Sequence, residues 1–109
     1  WPDWHAERAQ QEQRRPVTAM LVLPSELTHR QASATLGMLL QALRGDQGPQ
    51  LVVDAAALQV FDSSALAVLL ECRREALAER KAFAVKGLPT ALAGMAALYG
   101  VAELLPATA

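Results

Sequence analysis

Leu51-Val52-Val53-Asp54, followed by Val60-Phe61-Asp62-Ser63-Ser64-Ala65-Leu66-Ala67-Val68-Leu69-Leu70, is the stretch from which the rest of the chain can be read. Three consecutive apolar residues closed by an aspartate suit a strand covered on both faces, the usual state in a parallel sheet. Asp62 or Ser63 can cap the next helix, because a side-chain oxygen there accepts from an unpaired first-turn amide. The spacing predicts that helix from about Ser64 to Arg80, with Ala65, Leu66, Leu69, Leu70, Cys72, Ala76 and Leu77 on its apolar side. Glu71, Glu75 and Glu79 recur one turn apart on the other side. Arg73, Arg74, Arg80 and Lys81 flank them, giving an exposed face of mixed charge.

Upstream, Val17 to Leu23 is rich in Val, Leu and Thr and stops at Pro24, a strand and its breaker. Thr28 and Gln31 have the spacing of a capping box, which opens a helix. Ala32, Leu36, Leu39, Leu40 and Leu43 form its apolar face, and Gly45 sits where a left-handed cap would end it. Downstream, Ala82 to Val85 reads as a third strand. Pro89 suits a first helical position. The last helix carries Leu92, Met95, Ala96 and Tyr99 and ends at Gly100, and Val101 to Leu105 forms a final short strand or turn. Strand and helix alternate three times, which implies parallel pairing through right-handed crossovers. The expected class is α/β, with a mostly parallel or mixed four- to five-stranded sheet and helices packed on it.

The 109 residues fit one domain over residues 17–109. Residues 1–16 read as a separate N-terminal arm, mobile or loosely helical, of native or vector origin, with Met20 a candidate start. The alternative is that Trp1 and Trp4 anchor this arm on a hydrophobic surface. Ten basic and eleven acidic residues leave a net charge of -1, which provides no footprint for nucleic acid. The longest uncharged run, between Lys86 and Glu103, is shorter than a bilayer span and is broken by Pro89, Gly94 and Gly100. No secretory signal is legible, and direct membrane insertion is not expected. A single cysteine, Cys72, reads as a small core residue in a reducing, cytoplasmic setting.

Catalysis finds little footing. A serine nucleophile needs a base beside it, and the histidines are His5, in the arm, and His29, at the start of the first helix. There is no Gly-x-Ser-x-Gly elbow, no ligand cluster for a metal and no glycine-rich phosphate loop. Asp54 and Lys86 end strands as in a phospho-receiver, but Pro24, Ser25 and Glu26 stand where that site needs an acidic pair. Asp54 therefore reads as a strand-end residue bonding loop amides. The expectation is a non-enzyme without cofactors. A lipid or small-molecule carrier is disfavoured too, since helix faces and buried strands account for the apolar residues. Asp62-Ser63-Ser64 remains. It is either an ordinary cap or a hydroxyl pair at a helix N-terminus that meets a partner or accepts a phosphate, whose charge the helix dipole favours.

The quoted stretch resembles the STAS domain, whose pattern is an apolar strand ending in Asp, then an apolar residue, Asp, Ser or Thr, Ser, Gly and Leu opening a helix. Leu23-Pro24-Ser25-Glu26-Leu27-Thr28 resembles that family's first strand and turn, and Phe83-Ala84-Val85-Lys86-Gly87-Leu88 its third major strand. Ala65 stands where the family usually has Gly. The resemblance implies one of two roles. In anti-sigma-factor antagonists a partner kinase phosphorylates the loop serine that Ser64 matches. In the small cytoplasmic STAS subunit of the Mla phospholipid-transport ABC system, the hydroxyl after the loop Asp is important, and Ser63 matches it. The tail from Val85 to Pro106, with its Leu98-Tyr99 pair and Leu105-Pro106 ending, is similar to the Mla branch. That branch implies binding to the ABC ATPase subunit through Asp62, Ser63, Ser64 and Ala65 and the helix after them, with Glu71, Arg73 and Arg74 as rim charges. It also implies a cytoplasmic protein, peripheral to the inner membrane through its partner.

Overall fold

The computed structural model describes residues 18–46 and 48–107. Three parallel strands, β1 (Thr18–Val22), β3 (Gln50–Asp54) and β5 (Ala82–Lys86), lie in the order β1-β3-β5. Two further strands, β2 (Glu26–Leu27) and β4 (Val60–Phe61), pair in parallel as a separate two-stranded sheet. Outside β5, Val85 forms an isolated parallel bridge with Ala107, and its amide donates to the Pro106 carbonyl at 2.8 Å. The expected α/β class and parallel pairing hold. The strands are divided three and two, and the miniature pair was not legible because two residues cannot display an alternation.

The helices are α1 (Ala32–Gly45), α2 (Ser63–Ala78) and α3 (Thr90–Leu98). A 3-10 turn, Ala102–Leu104, takes the place of the expected final strand or turn. Leu39 and Leu43 of α1 are buried, with Ala32, Leu36 and Leu40 half-buried against the core. Helix α2 buries Ala65, Leu66, Val68, Leu69, Cys72 and Ala76, and it packs against both α1 and β5. Leu51, Val53, Phe83 and Val85 reach the same core from the sheet. Burial of this kind, at about 25 cal/mol per Å² of apolar surface, is the main stabilising term.

Three local expectations are corrected. Gly45 is the last residue of α1 and has no left-handed backbone, and Asp46 leaves the helix in extended conformation. Leu77 lies on the solvent side of α2, 47% exposed, because both α1 and β5 press on the opposite flank and draw in Val68 instead. Lys81 is not on a solvated face. It is 5% exposed, and its ammonium donates to the carbonyls of Asp46 at 2.7 Å and Gly48 at 2.6 Å, with the Asp46 carboxylate at 3.4 Å.

Helices α2 and α3 end alike. The amides of Arg80 and Lys81 donate back to Leu77 and Ala76, and those of Gly100 and Val101 to Ala97 and Ala96. This double closure requires a left-handed residue after the cap. Gly100 fills that place in α3 at φ 75°, whereas α2 uses Arg80 at φ 60°. A third left-handed residue, Gly87 at φ 68°, follows β5, where a Cβ would lie 2.9 Å from that of Ala56. Pro89 precedes α3 as its cap residue rather than opening the helix.

Candidate functional site

The site is built where the two small strands meet. Pairing of Glu26 with Val60 and Leu27 with Phe61 sets the turn before α1 beside the loop before α2. The Ser25 carbonyl accepts from the amides of Gln59 at 2.8 Å and Val60 at 3.0 Å, fixing the approach. Gln31 Oε1 accepts from the Thr28 amide at 2.9 Å and the Thr28 hydroxyl at 2.7 Å. The Thr28–Gln31 pair thus forms, but Thr28 Oγ1 takes the amide of Arg30 at 3.3 Å, and α1 proper starts at Ala32.

Asp62 is the cap of α2. Its Oδ1 accepts from the Ser64 amide at 2.8 Å. Its Oδ2 accepts from the His29 amide at 3.0 Å and lies 3.3 Å from His29 Nδ1. The His29 amide, followed by the Ser64 amide and the two side chains, holds the Asp62 carboxyl at about 2, below its ordinary 3.8, against the opposing effect of partial desolvation. A carboxylate so stabilised is a poor proton acceptor at neutral pH, so its contribution is to join two turns. Among the described residues no hydrogen bond links the His29 ring to Ser63 or Ser64, and no serine–histidine relay is assembled. The sequence singled out Asp62 but not its tie to His29, which depends on the two-residue strands.

Ser63 opens α2 and is exposed, while Ser64 is half-buried. Ala65 is fully buried, so it supports the loop from beneath and presents no side-chain surface. A groove of about 390 Å³ starts at Ser64 and runs between α1 and α2. Ala32, Leu36, Leu40, Ala67 and Val68 give it apolar walls, with Ser33 at the edge and Glu71 at the far end. Of the expected rim charges, Glu71 lines this groove and pairs with Arg74 at 3.5 Å, and Arg73 is half-buried on the same helix. Leu36 and Leu40, one turn apart on the outer flank of the α1 stripe, were the legible sign of this groove.

Elsewhere Asp54 does what its position suggested, accepting from the Ala56 amide at 2.9 Å. Burial, with the Glu71 charge adding to it, pushes the Cys72 thiol up to about 12. An open apolar cavity of about 410 Å³ lies beside Val85, Leu88, Ala93, Ala96 and Leu105. The expectation that no apolar surface remained to line a cavity is thereby corrected, since small side chains on α3 leave space beside the 3-10 turn. Among the described residues no cluster of His, Cys, Asp or Glu could hold a metal ion, and no helix is long and apolar enough to cross a membrane.

A family model described as "Mlab, STAS domain" matches residues 10–106. The chain belongs to the STAS domain family. Solved STAS structures are similar along most of its length. An anti-sigma-factor antagonist (STAS) domain protein from Planctomyces limnophilus is 18% identical, with a TM-score of 0.69 over 83% of this chain and 82% of that one. RsbS of Moorella thermoacetica, in a serine-to-glutamate variant, is 28% identical, with a TM-score of 0.69 over 88% and 84%. The STAS domain of a SulP transporter from Vibrio cholerae is 12% identical, with a TM-score of 0.63 over 95% and 82%. No curated protein matches the chain. The two short strands and the capped Asp62 loop therefore lie within a STAS domain that resembles MlaB.

Proposed function

We propose that this protein is a non-enzymatic accessory subunit that binds the ATPase of a phospholipid-transport ABC complex serving outer-membrane lipid asymmetry. On this reading it is cytoplasmic and meets the inner membrane only through its partner. The carrying observation is the continuity of the Ser63–Ser64 surface with the apolar groove between α1 and α2. Hydroxyls at a helix start supply directional contacts, and the adjacent groove supplies apolar area for an inserted side chain. Asp62 orients both by fixing the α2 N-terminus. Ala65 contributes packing, and Arg73 and Arg74 form a charged rim. Binding would favour one conformation of the ATPase, acting by population shift without covalent chemistry. The MlaB-like family match supports this branch.

The test is co-purification of the chain with an ABC ATPase from its native cells. A stable complex that Ser63→Ala/Ser64→Ala weakens is expected. A folded chain that fails to bind any such ATPase would remove the reading. A second reading, an anti-sigma-factor antagonist phosphorylated on Ser64 by a partner kinase, is favoured by the similarity to a solved anti-sigma-factor antagonist domain and to RsbS carrying a glutamate for a serine. A phosphate found on Ser64 in protein from native cells would favour it instead.

A further inference from the structure

Away from the site already described, the apolar cavity of about 410 Å³ opens beside the carboxyl end of β5. Open α/β sheets generally take ligands there, beyond the carboxyl ends of their parallel strands. The space exists because small residues meet. Ala93 and Ala96 lie three apart on α3, Ala102 opens the 3-10 turn, and Ala107 bridges to Val85. Gly87 stands in the wall at φ 68°, and a Cβ there would lie 2.9 Å from that of Ala56, so no larger residue fits. Backbone bonds pin these walls. The Val85 amide donates to the Pro106 carbonyl at 2.8 Å, the Val101 amide to Ala96 at 2.9 Å, and the Leu105 amide to Ala102 at 3.1 Å. Collapse would break this frame, and a site that cannot collapse keeps the cost of its unfilled volume until an occupant removes it.

We propose that this cavity holds the unbranched alkyl chain of a single-chain amphiphile, whose polar head stays in solvent at the mouth. The site is separate from the groove between α1 and α2 and does not depend on the ATPase reading. Its lining decides the chemistry. All eight lining residues are Gly, Ala, Val or Leu. None brings a side-chain donor, acceptor or charge, so a polar group buried there would lose its water without replacement. Water itself is poorly held, since a buried molecule needs about two to four polar partners. No aromatic ring lines the cavity, so nothing in it favours a stacked planar ligand. The volume lies at the low end of the roughly 300–1,000 Å³ of small-ligand pockets, which suits one slender chain. The groove between α1 and α2 differs in kind, because Ser33, Ser64 and Glu71 line it together with apolar residues.

The test titrates butanoate, hexanoate, octanoate and decanoate, each below its micellar concentration, into the 109-residue chain by isothermal titration calorimetry. Saturable one-to-one binding is expected, tightening about fourfold per added methylene until the chain fills the cavity. Octanol and an octanoyl lysophospholipid should compete with octanoate, and the tightest of the three identifies the source of the alkyl chain. Ala93→Leu and Ala102→Leu narrow the cavity and should each weaken octanoate binding about tenfold, with unchanged far-ultraviolet circular dichroism. Ala102 is exposed, so its variant keeps the test open should Ala93→Leu unfold. Ala97→Leu, exposed on α3 and outside the lining, should bind as the wild type does. No saturable binding, or binding without dependence on chain length, would overturn the proposal. So would binding by the carboxylates alone, since the head would then be what is recognised, and so would full affinity in both folded cavity variants. A dimer in sedimentation that either cavity variant turns into a monomer would assign the space to a second copy and overturn it as well.

Discussion

His29 and Asp62, thirty-three positions apart, are joined twice: the Asp62 carboxylate accepts from the His29 amide at 3.0 Å and lies 3.3 Å from the ring Nδ1. The other oxygen of the same carboxylate caps α2 through Ser64. One side chain thereby sets the spacing between the turn that leads into α1 and the start of α2, and with it the mouth of the groove between them.

This contact has a pH signature. The Asp62 pKa is lowered on folding, so its contribution to stability is complete above 3.8 and is lost as pH falls toward about 2. Asp62→Asn carries no such titration. The melting temperature of the wild-type chain should exceed that of Asp62→Asn at pH 5, and the margin should shrink between pH 4 and pH 2. A margin that stays flat across that range would show that the carboxylate has no special partner in the folded state.

Ser63 and Ser64 bear little of the fold. Ser63 is exposed, and half-buried Ser64 is held to Asp62 mainly by its backbone amide, which alanine retains, and less by its side chain, which alanine removes. The double substitution to alanine should cost no more than about 1 kcal/mol, the worth of one ordinary hydrogen bond, when measured by urea unfolding. Loss of partner binding in that variant would then be a surface effect.

Lys81 should be sensitive to substitution. Replacing it with methionine keeps much of the aliphatic stem but leaves the Asp46 and Gly48 carbonyls without their donor. A loss of about 1 kcal/mol is expected from the lost charge-assisted bonds to these half-buried acceptors. Urea unfolding of Lys81→Met measures it, and a neutral outcome would mean that the loop after α1 finds other partners.

Arg80→Gly should stabilise the chain. Arg80 holds the left-handed position that Gly100 fills in α3, and an L-residue there costs on the order of 1 kcal/mol. The gain should appear as a raised urea midpoint with an unchanged slope. The reciprocal Gly100→Ala should lose a similar amount, and Gly87→Ala more, because there a Cβ also meets Ala56 at 2.9 Å.

Cys72 should be inert in the native state. It is buried, and its thiol is pushed up to about 12, so almost no thiolate exists at pH 8. A disulfide reagent should label it only at the rate of unfolding, and urea should restore rapid labelling.

Much of this architecture was legible because its signals are local. Leu51 to Val53 announced a covered strand, and Leu36, Leu39, Leu40 and Leu43 announced the buried side of α1. Asp62 announced the cap of α2. What escaped depended on partners distant in sequence. Lys81 reads as a solvated lysine until the fold brings the Asp46 and Gly48 carbonyls around it. Glu26–Leu27 and Val60–Phe61 are too short to show a period, so the contact of His29 with Asp62 that follows from them was hidden as well. Gly45 carried the residue type of a helix stop without the backbone, because Asp46 leaves the helix in an extended conformation that any residue can adopt.

In the strand order β1-β3-β5, with Ala107 bridging outside β5, position across the sheet follows position along the chain. Each new strand is added to an edge already made by the segment just before it. During synthesis, at roughly 5–20 residues per second, the β1-β3 pair and the helix between them can form before β5 has emerged from the ribosome. Nothing placed later must be threaded between strands placed earlier. Once Ala78 has left the ribosome, the emerged chain holds both strands of the β1-β3 pair and both helices whose contact shapes the groove.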